Sequence, residues 1–180
     1  MEVDLSSFSN SWYKPGNILK RFSWYYLNVI FLKSGWFPFS SLKIFLLKLY
    51  GAKIGKGVLI KPFVNIKYPW FLIIGNNVWI GEEVWIDNLA LVTIDDNVCI
   101  SQGVLLLTGS HNYKTVTFEL LVKPIKIENS VWICAKAIVC SGVVCHKNSI
   151  ITAGSVITAD CEENGIYKGN PGVKIKIRTC

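Results

Sequence analysis

Residues 54–106 read IGKGVLIKPFVNIKYPWFLIIGNNVWIGEEVWIDNLALVTIDDNVCISQGVLL. A branched apolar residue returns every six positions: Ile54, Ile60, Ile66, then Ile74, Ile80, Ile86, then Ile94, Ile100, Leu106. The same beat resumes at Ile127, Ile133, Val139, Cys145, Ile151 and Ile157. A period of six is neither the 3.6 of a helix face nor the 2 of a strand. Self-similarity at a short fixed period marks a repeat architecture, and hexads of this kind build a parallel β-helix. A β-sandwich is the alternative, but a sandwich does not hold one register through fifteen hexads.

Each hexad has a physical reading. The large apolar residue fills the axis of the coil. The residue four later (Val58, Val64, Val78, Val84, Ala90, Val98, Val104 and Ser110 in the first three coils) also points inward, near a corner, and is smaller. Gly or an acidic residue often follows the apolar one, as at Gly55, Gly75, Gly81, Asp87, Asp95 and Glu128, and suits a turn. Three hexads make one triangular turn of about 18 residues. The expectation is an all-β solenoid of about five coils, with two-residue insertions at 69–73 and 91–93 and a loop at 112–124 after the third coil. It divides into a helical cap (1–51), a β-helix domain (52–165) and a tail (166–180).

Composition narrows the function. A chain of 180 residues fits one domain. Its net charge of +7 could attract an anionic ligand or surface, but no five- to eight-residue basic run suggests nucleic acid. Six cysteines, at 99, 134, 140, 145, 161 and 180, form no CxxC pair and no Cys/His cluster; as small apolar fillers they fit a reduced core. The start, MEVDLSSFSN, is acidic and polar rather than basic then apolar, which points to a cytoplasmic chain.

The first fifty residues break the six-residue beat. They are aromatic and basic, with helical character over 17–32 and 41–50; Leu42, Phe45, Leu46 and Leu49 recur at helical spacing behind a Ser40/Ser41 N-cap signal. Lysines and an arginine interrupt both stretches, so neither is a spanning helix. Two compatible readings stand: a cap over the open end of the solenoid, and peripheral attachment at the inner face of a membrane through Trp, Tyr, Phe and Lys.

Several runs carry a resemblance. They are Ser11-Trp12-Tyr13-Lys14-Pro15-Gly16, Phe37-Pro38-Phe39-Ser40, Val64-Asn65-Ile66-Lys67-Tyr68-Pro69-Trp70, Val84-Trp85-Ile86-Asp87-Asn88-Leu89, Thr108-Gly109-Ser110-His111-Asn112-Tyr113 and Gly169-Asn170-Pro171. The chain resembles the hexapeptide-repeat acyltransferases, which fold as left-handed parallel β-helices, and within them the colanic acid type of exopolysaccharide O-acetyltransferase. The resemblance implies acetyl-CoA as co-substrate, a saccharide or lipid-linked saccharide acceptor, and a homotrimer with active sites between subunits. A small acceptor such as an antibiotic is the rival substrate, and a non-catalytic scaffold at the membrane is the rival class.

His111 is the candidate base. It is one of two histidines and stands where the repeat breaks. Acyl transfer to an alcohol needs the hydroxyl proton removed, and imidazole can take it and return it to the leaving thiolate. The resemblance implies the same role. His146, in a turn slot, is expected to point outward. One plausible histidine does not make a three-histidine metal site, so no metal is expected. Asp87 and Asn88, one coil before His111, are candidate acceptor ligands, with Trp85 as a stacking surface and Ser110 and Tyr113 beside the base. Asp87 also reads as a plain turn former, and Trp85 as a wall cover.

The donor side rests on the resemblance. Trp132 matches the family's Asn-x-Val-Trp-Ile-Gly segment, beside the pantetheine arm. Ala135, Ala153, Gly154 and Ser155 match positions that bond the arm, Asn170 and Pro171 lie in the turn near the adenine, and Lys168, Lys174 and Arg178 would face phosphates. The tail also reads as a solvated end. Cys134 and Thr152 stand where the family has glycine, and Ser141 where it has proline.

Overall fold

A computed structural model describes residues 2–179; Met1 and Cys180, the sixth cysteine, lie outside them. The hexads form three parallel sheets that wrap one core. The first face stacks Lys53–Ile54, Leu72–Ile74, Val92–Ile94, Ile125–Ile127 and Val144–Cys145. The second stacks Leu59–Ile60, Trp79–Ile80, Cys99–Ile100, Trp132–Ile133, Ile150–Ile151 and Gly165–Lys168. The third stacks Asn65–Ile66, Trp85–Asp87, Leu105–Leu107, Ile138–Val139 and Val156–Ile157. That is five full turns and part of a sixth, closed on the second face by an antiparallel strand, Val173–Ile177.

The apolar beat is the core register. Ile60, Ile80, Ile100, Ile133, Ile151 and Tyr167 lie opposite one another in sequence of turns. So do Ile66, Ile86, Leu106, Val139 and Ile157 on the third face. All are buried, as are the smaller residues Val58 to Val104 on the same beat, except Ala90, which is half-buried. Ser110 departs: it is exposed, because the chain leaves the solenoid at Gly109 rather than at 112. The interruption is a two-stranded antiparallel ribbon, Gly109–His111 against Leu120–Val122.

The turns correct one expectation. The left-handed residue is the third after the apolar one, as in Gly57 (φ 68°), Glu83 (φ 59°), Lys136 (φ 57°) and Gly154 (φ 70°). The glycine directly after the apolar residue has no positive φ; it allows close stacking. A Cβ on Gly81 would lie 2.6 Å from the backbone nitrogen of Gln102 in the next turn. Cys134 and Thr152 fill the corresponding slots with no backbone penalty of that kind.

The N-terminal helices cover strand edges that the first turn leaves open. Helix α1 (Ile18–Leu27) starts at Asn17, whose side chain accepts from the Leu19 N–H at 2.7 Å, and runs on through a wider turn, Asn28–Leu32. Buried Trp24 donates to the Ile66 carbonyl at 2.8 Å, and Asn28 accepts from the Ile66 N–H and donates to Asn65. Helix α2 (Ser40–Leu49) does the same for Ile60. Ser40 does not cap its own helix; its hydroxyl accepts from the Ile60 N–H at 3.0 Å. Fully buried Lys43 donates to the carbonyls of Ile60 (3.3 Å) and Lys61 (2.8 Å), and burial lowers its pKa from the usual lysine value. No helix among the described residues is long and apolar enough to cross a membrane.

Candidate active site

His111 ends the first strand of the ribbon, at the corner where the third face passes to the first. Its Nδ1 lies 2.9 Å from the Phe118 carbonyl. A carbonyl can only accept, so the neutral ring carries its proton on Nδ1 and leaves Nε2 as the basic nitrogen. The ring is clamped in a stack on Phe118 (centroids 4.4 Å, 3°), with Phe8 at 5.7 Å on a tilt.

A cavity of about 460 Å³ opens beside it, lined by His111, Tyr13, Arg21, Lys67, Tyr68, Leu89 and Leu120 among others. Two of these, Tyr13 and Arg21, come from the distant N-terminal part of the chain. The N-terminal segment crosses the corner, bonding Asp4 N–H to Val116 O at 2.9 Å and Tyr13 OH to Leu89 O at 2.6 Å. The insertion Pro69–Phe71 anchors it: Trp70 donates to the Pro15 carbonyl at 3.0 Å, stacks on Tyr68, and carries Lys20 over its ring. Burial first, then the neighbouring Tyr68, pushes the Tyr13 hydroxyl far above the ordinary tyrosine value, so it stays a neutral donor. Phe8, Tyr13, Arg21, Lys67, Tyr68 and Phe118 were not among the expected site residues. The Trp12-Tyr13 and Lys67-Tyr68 runs were the visible signal, but nothing in the spacing brings residue 13 to residue 111.

The expected acceptor residues divide. Asp87, on the third face opposite Leu107 of the next turn, sets Oδ1 2.9 Å from Lys67 Nζ, so it reaches the cavity through that lysine. The contact is an ion pair without hydrogen-bond alignment, which leaves Oδ1 an unspent buried acceptor. Asn88 does not reach the cavity surface: it is fully buried, accepts from Tyr68 N–H at 3.0 Å, and donates to the carbonyls of Tyr68 (2.7 Å) and Phe71 (3.1 Å). It fastens the insertion that holds the N-terminal segment. Half-exposed Trp85 lines a second groove, of about 390 Å³, against α1, with Arg21 and Lys67 shared between the two cavities. Ser110 is exposed and alternates away from His111 along the ribbon. Tyr113 is exposed beyond it and lines neither cavity.

The donor candidates gather at another corner, where the second face passes to the third. Ala135 and Gly154 stack there, Gly154 N–H to Ala135 O at 2.9 Å, with Ala153 and Gly154 exposed and open space where a Gly154 side chain would be. Ser155 is buried and committed to Thr152 (3.0 Å) and the Gly169 N–H (3.1 Å). That bond, with Gly172 N–H to Val156 O at 2.7 Å, lays Asn170 and Pro171 along the third face. Trp132 stands on the second face, half-exposed, donating to Ser101 Oγ at 3.0 Å. Lys168 is exposed at the end of its strand. Two tail residues are not at this corner's service. Lys174 pairs with Glu162 at 2.6 Å, and Arg178 reaches the carbonyls of Ser130 (3.3 Å) and Asn148 (3.4 Å) at the first-to-second corner. The later part of the tail, Val173–Ile177, packs on the second face as a strand, while 169–172 stay beside the donor corner.

One chain therefore keeps His111 and its open small-residue corner at opposite edges of the third face. Among the described residues no group of three or more His, Cys, Asp or Glu could hold a metal ion.

Comparison places this geometry among known proteins. No family model matches the chain. The protein named as the colanic acid biosynthesis acetyltransferase WcaF of Escherichia coli (strain K12) is 35% identical over 178 residues, covering 97% of each chain. A galactoside acetyltransferase solved in complex with coenzyme A is 30% identical, with a TM-score of 0.78 over 88% of this chain and 80% of its own. A hexapeptide-repeat acetyltransferase of Vibrio cholerae, solved with acetyl-coenzyme A, shares the fold at a TM-score of 0.81 and 23% identity, over 88% and 87% of the two chains.

Proposed function

Because this chain belongs to the hexapeptide-repeat acetyltransferases, we propose that it moves an acetyl group from acetyl-coenzyme A to a sugar hydroxyl, free or lipid-linked, in exopolysaccharide, capsule or O-antigen biosynthesis. The observation that carries the chemistry is His111, its Nδ1 proton held by the Phe118 carbonyl at 2.9 Å and its Nε2 uncommitted beside a polar cavity.

The step balances on that ring. Nε2 takes the acceptor's hydroxyl proton as the oxygen attacks the thioester carbonyl. The tetrahedral adduct collapses, the C–S bond breaks, and the imidazolium returns the proton to the departing thiolate. The Phe118 carbonyl stabilises the transient imidazolium through the Nδ1–H and keeps the ring in one tautomer, as a carboxylate does in other His-based sites. No covalent acyl-enzyme is required. Tyr13, Arg21 and the Lys67–Asp87 pair supply donors and acceptors around the sugar.

The donor lies in the groove by Ala135, Ala153, Gly154 and Trp132, and Lys168 with Asn170 and Pro171 meets its nucleotide end. Since these stand across the third face from His111, a neighbouring copy brings its open corner to this chain's base, as in a homotrimer. Lys174 and Arg178 are left out of the donor reading, and Asn88 out of the acceptor reading.

The test is coenzyme A thiol release from acetyl-coenzyme A against a panel of sugars and lipid-linked oligosaccharides. Release that depends on an acceptor supports the assignment. No release with any acceptor, together with no coenzyme A binding, overturns it.

A further inference from the structure

Residues 5–81 contain ten of the 19 basic residues and no acidic one. The remainder holds nine basic residues against 12 acidic, so the whole net charge of +7 sits in the N-terminal cap and the first turns. Eight of the ten are exposed; Lys43 is buried under α2 and Lys67 is half-buried.

The same region exposes large apolar side chains. Helix α2 turns Leu46 and Leu47 inward and leaves Phe45 (62% exposed), Lys48 and Leu49 (66%) together on its outer side. The loop before it presents Phe39 (68%) and Trp36 (88%). That loop is not loose: Phe31 and Phe37 pack at 4.6 Å beneath it, so Trp36 is held out. Exposed Lys33 stands at its start. Because α2 closes the first turn, this outer side is the end of the solenoid, away from the ribbon that carries His111.

We infer that the outer side of α2, with the loop before it, docks this protein on the surface of an anionic lipid bilayer. Tryptophan and phenylalanine beside snorkelling lysines suit the boundary between headgroups and acyl chains, and a basic face gains from anionic lipid. Charge argues against a second copy seated cap to cap, since both faces carry the same sign with no carboxylate to pair it. Apart from Lys33, which also edges the groove against α1, the surface lies outside both cavities and the donor corner, so the inference stands independently of the acyltransfer reading.

Flotation of the full chain with lipid vesicles tests it. The protein is expected to float with phosphatidylcholine vesicles containing phosphatidylglycerol, not with phosphatidylcholine alone, and to detach as salt rises. The triple variant Trp36→Ser, Phe45→Ser, Leu49→Ser alters only exposed positions, and its circular dichroism and melting midpoint should match wild type while vesicle binding falls by roughly tenfold or more. Lys33→Gln with Lys48→Gln should weaken binding to the anionic vesicles alone. Absence of flotation with anionic vesicles overturns the inference, as does a triple variant that floats like wild type. A triple variant whose particle mass in solution drops would show that the face joins copies of the chain instead.

Discussion

The chemistry proposed for His111 depends on a neighbour with no ionisable group. The Phe118 carbonyl fixes the tautomer and the Phe118 ring fixes the plane, so His111→Gln should keep the fold and coenzyme A binding while acetyl transfer falls by about 10²–10⁴-fold, the range for losing a general base. Phe118→Ala keeps the carbonyl but frees the ring, and a smaller fall in turnover is expected. Asn88 predicts the opposite pattern. Asn88→Ala strands the Tyr68 N–H and the carbonyls of Tyr68 and Phe71 in a buried place, at about 1–3 kcal/mol for each unsatisfied group. Its denaturation midpoint should drop, and activity should recover at low temperature; a stable protein with a raised KM would instead make Asn88 a ligand. The sequence showed Asp87 and Asn88 as adjacent polar residues near a base. It could not show that one faces the cavity through Lys67 while the other is spent on backbone, because the strand ends at Asp87 and Asn88 turns inward just past it.

At the scale of the element, the six-residue beat was legible because every repeat obeys the same packing constraint. The apolar residue must fill an axis of constant width, so a buried apolar side chain holds the position from Ile54 to Ile157, with Leu106, Val139 and Cys145 in place of isoleucine. The turns were legible only in part. Glycine after the apolar residue looks like backbone freedom, yet it answers to the proximity of the next turn. Gly81→Ala forces a Cβ against Gln102 and should cost about 1–3 kcal/mol, as overpacking does. Glu83→Gly, two residues on, relieves a side chain at φ 59° and should stay within about 1 kcal/mol of wild type. Chemical denaturation of the two variants checks this; equal losses would refute the assignment of strain. The ribbon starting at Gly109 was hidden because Ser110 fits the small-residue slot, while the structure fills the inward position with Thr108, whose hydroxyl donates to the Asp87 carbonyl at 2.9 Å. The N-terminal wall of the cavity was hidden for a deeper reason: contacts such as Tyr13 to Leu89 follow from how the cap drapes over the solenoid, which no periodicity encodes.

For the whole molecule, a prism is a shape that separates its own working parts. The third face holds His111 at one edge and the open small-residue corner at the other, and the proposed ring of copies would reunite them. Such a cyclic assembly about an axis along the solenoid would set every basic, aromatic cap on one side, where the proposed membrane contacts would act together. Light scattering should then give the mass of three chains. The most direct measurement combines two disabled chains, His111→Gln, and Ala153→Trp to fill the donor groove. Each alone is expected to be inactive in acetyl transfer. Co-expressed in equal amounts and purified through two different tags, they should regain about a third of wild-type activity, because every mixed ring of three pairs an intact base with an intact corner at one of its three sites between copies. A mixed particle no more active than either variant alone would contradict a site shared between subunits and return both substrates to a single chain.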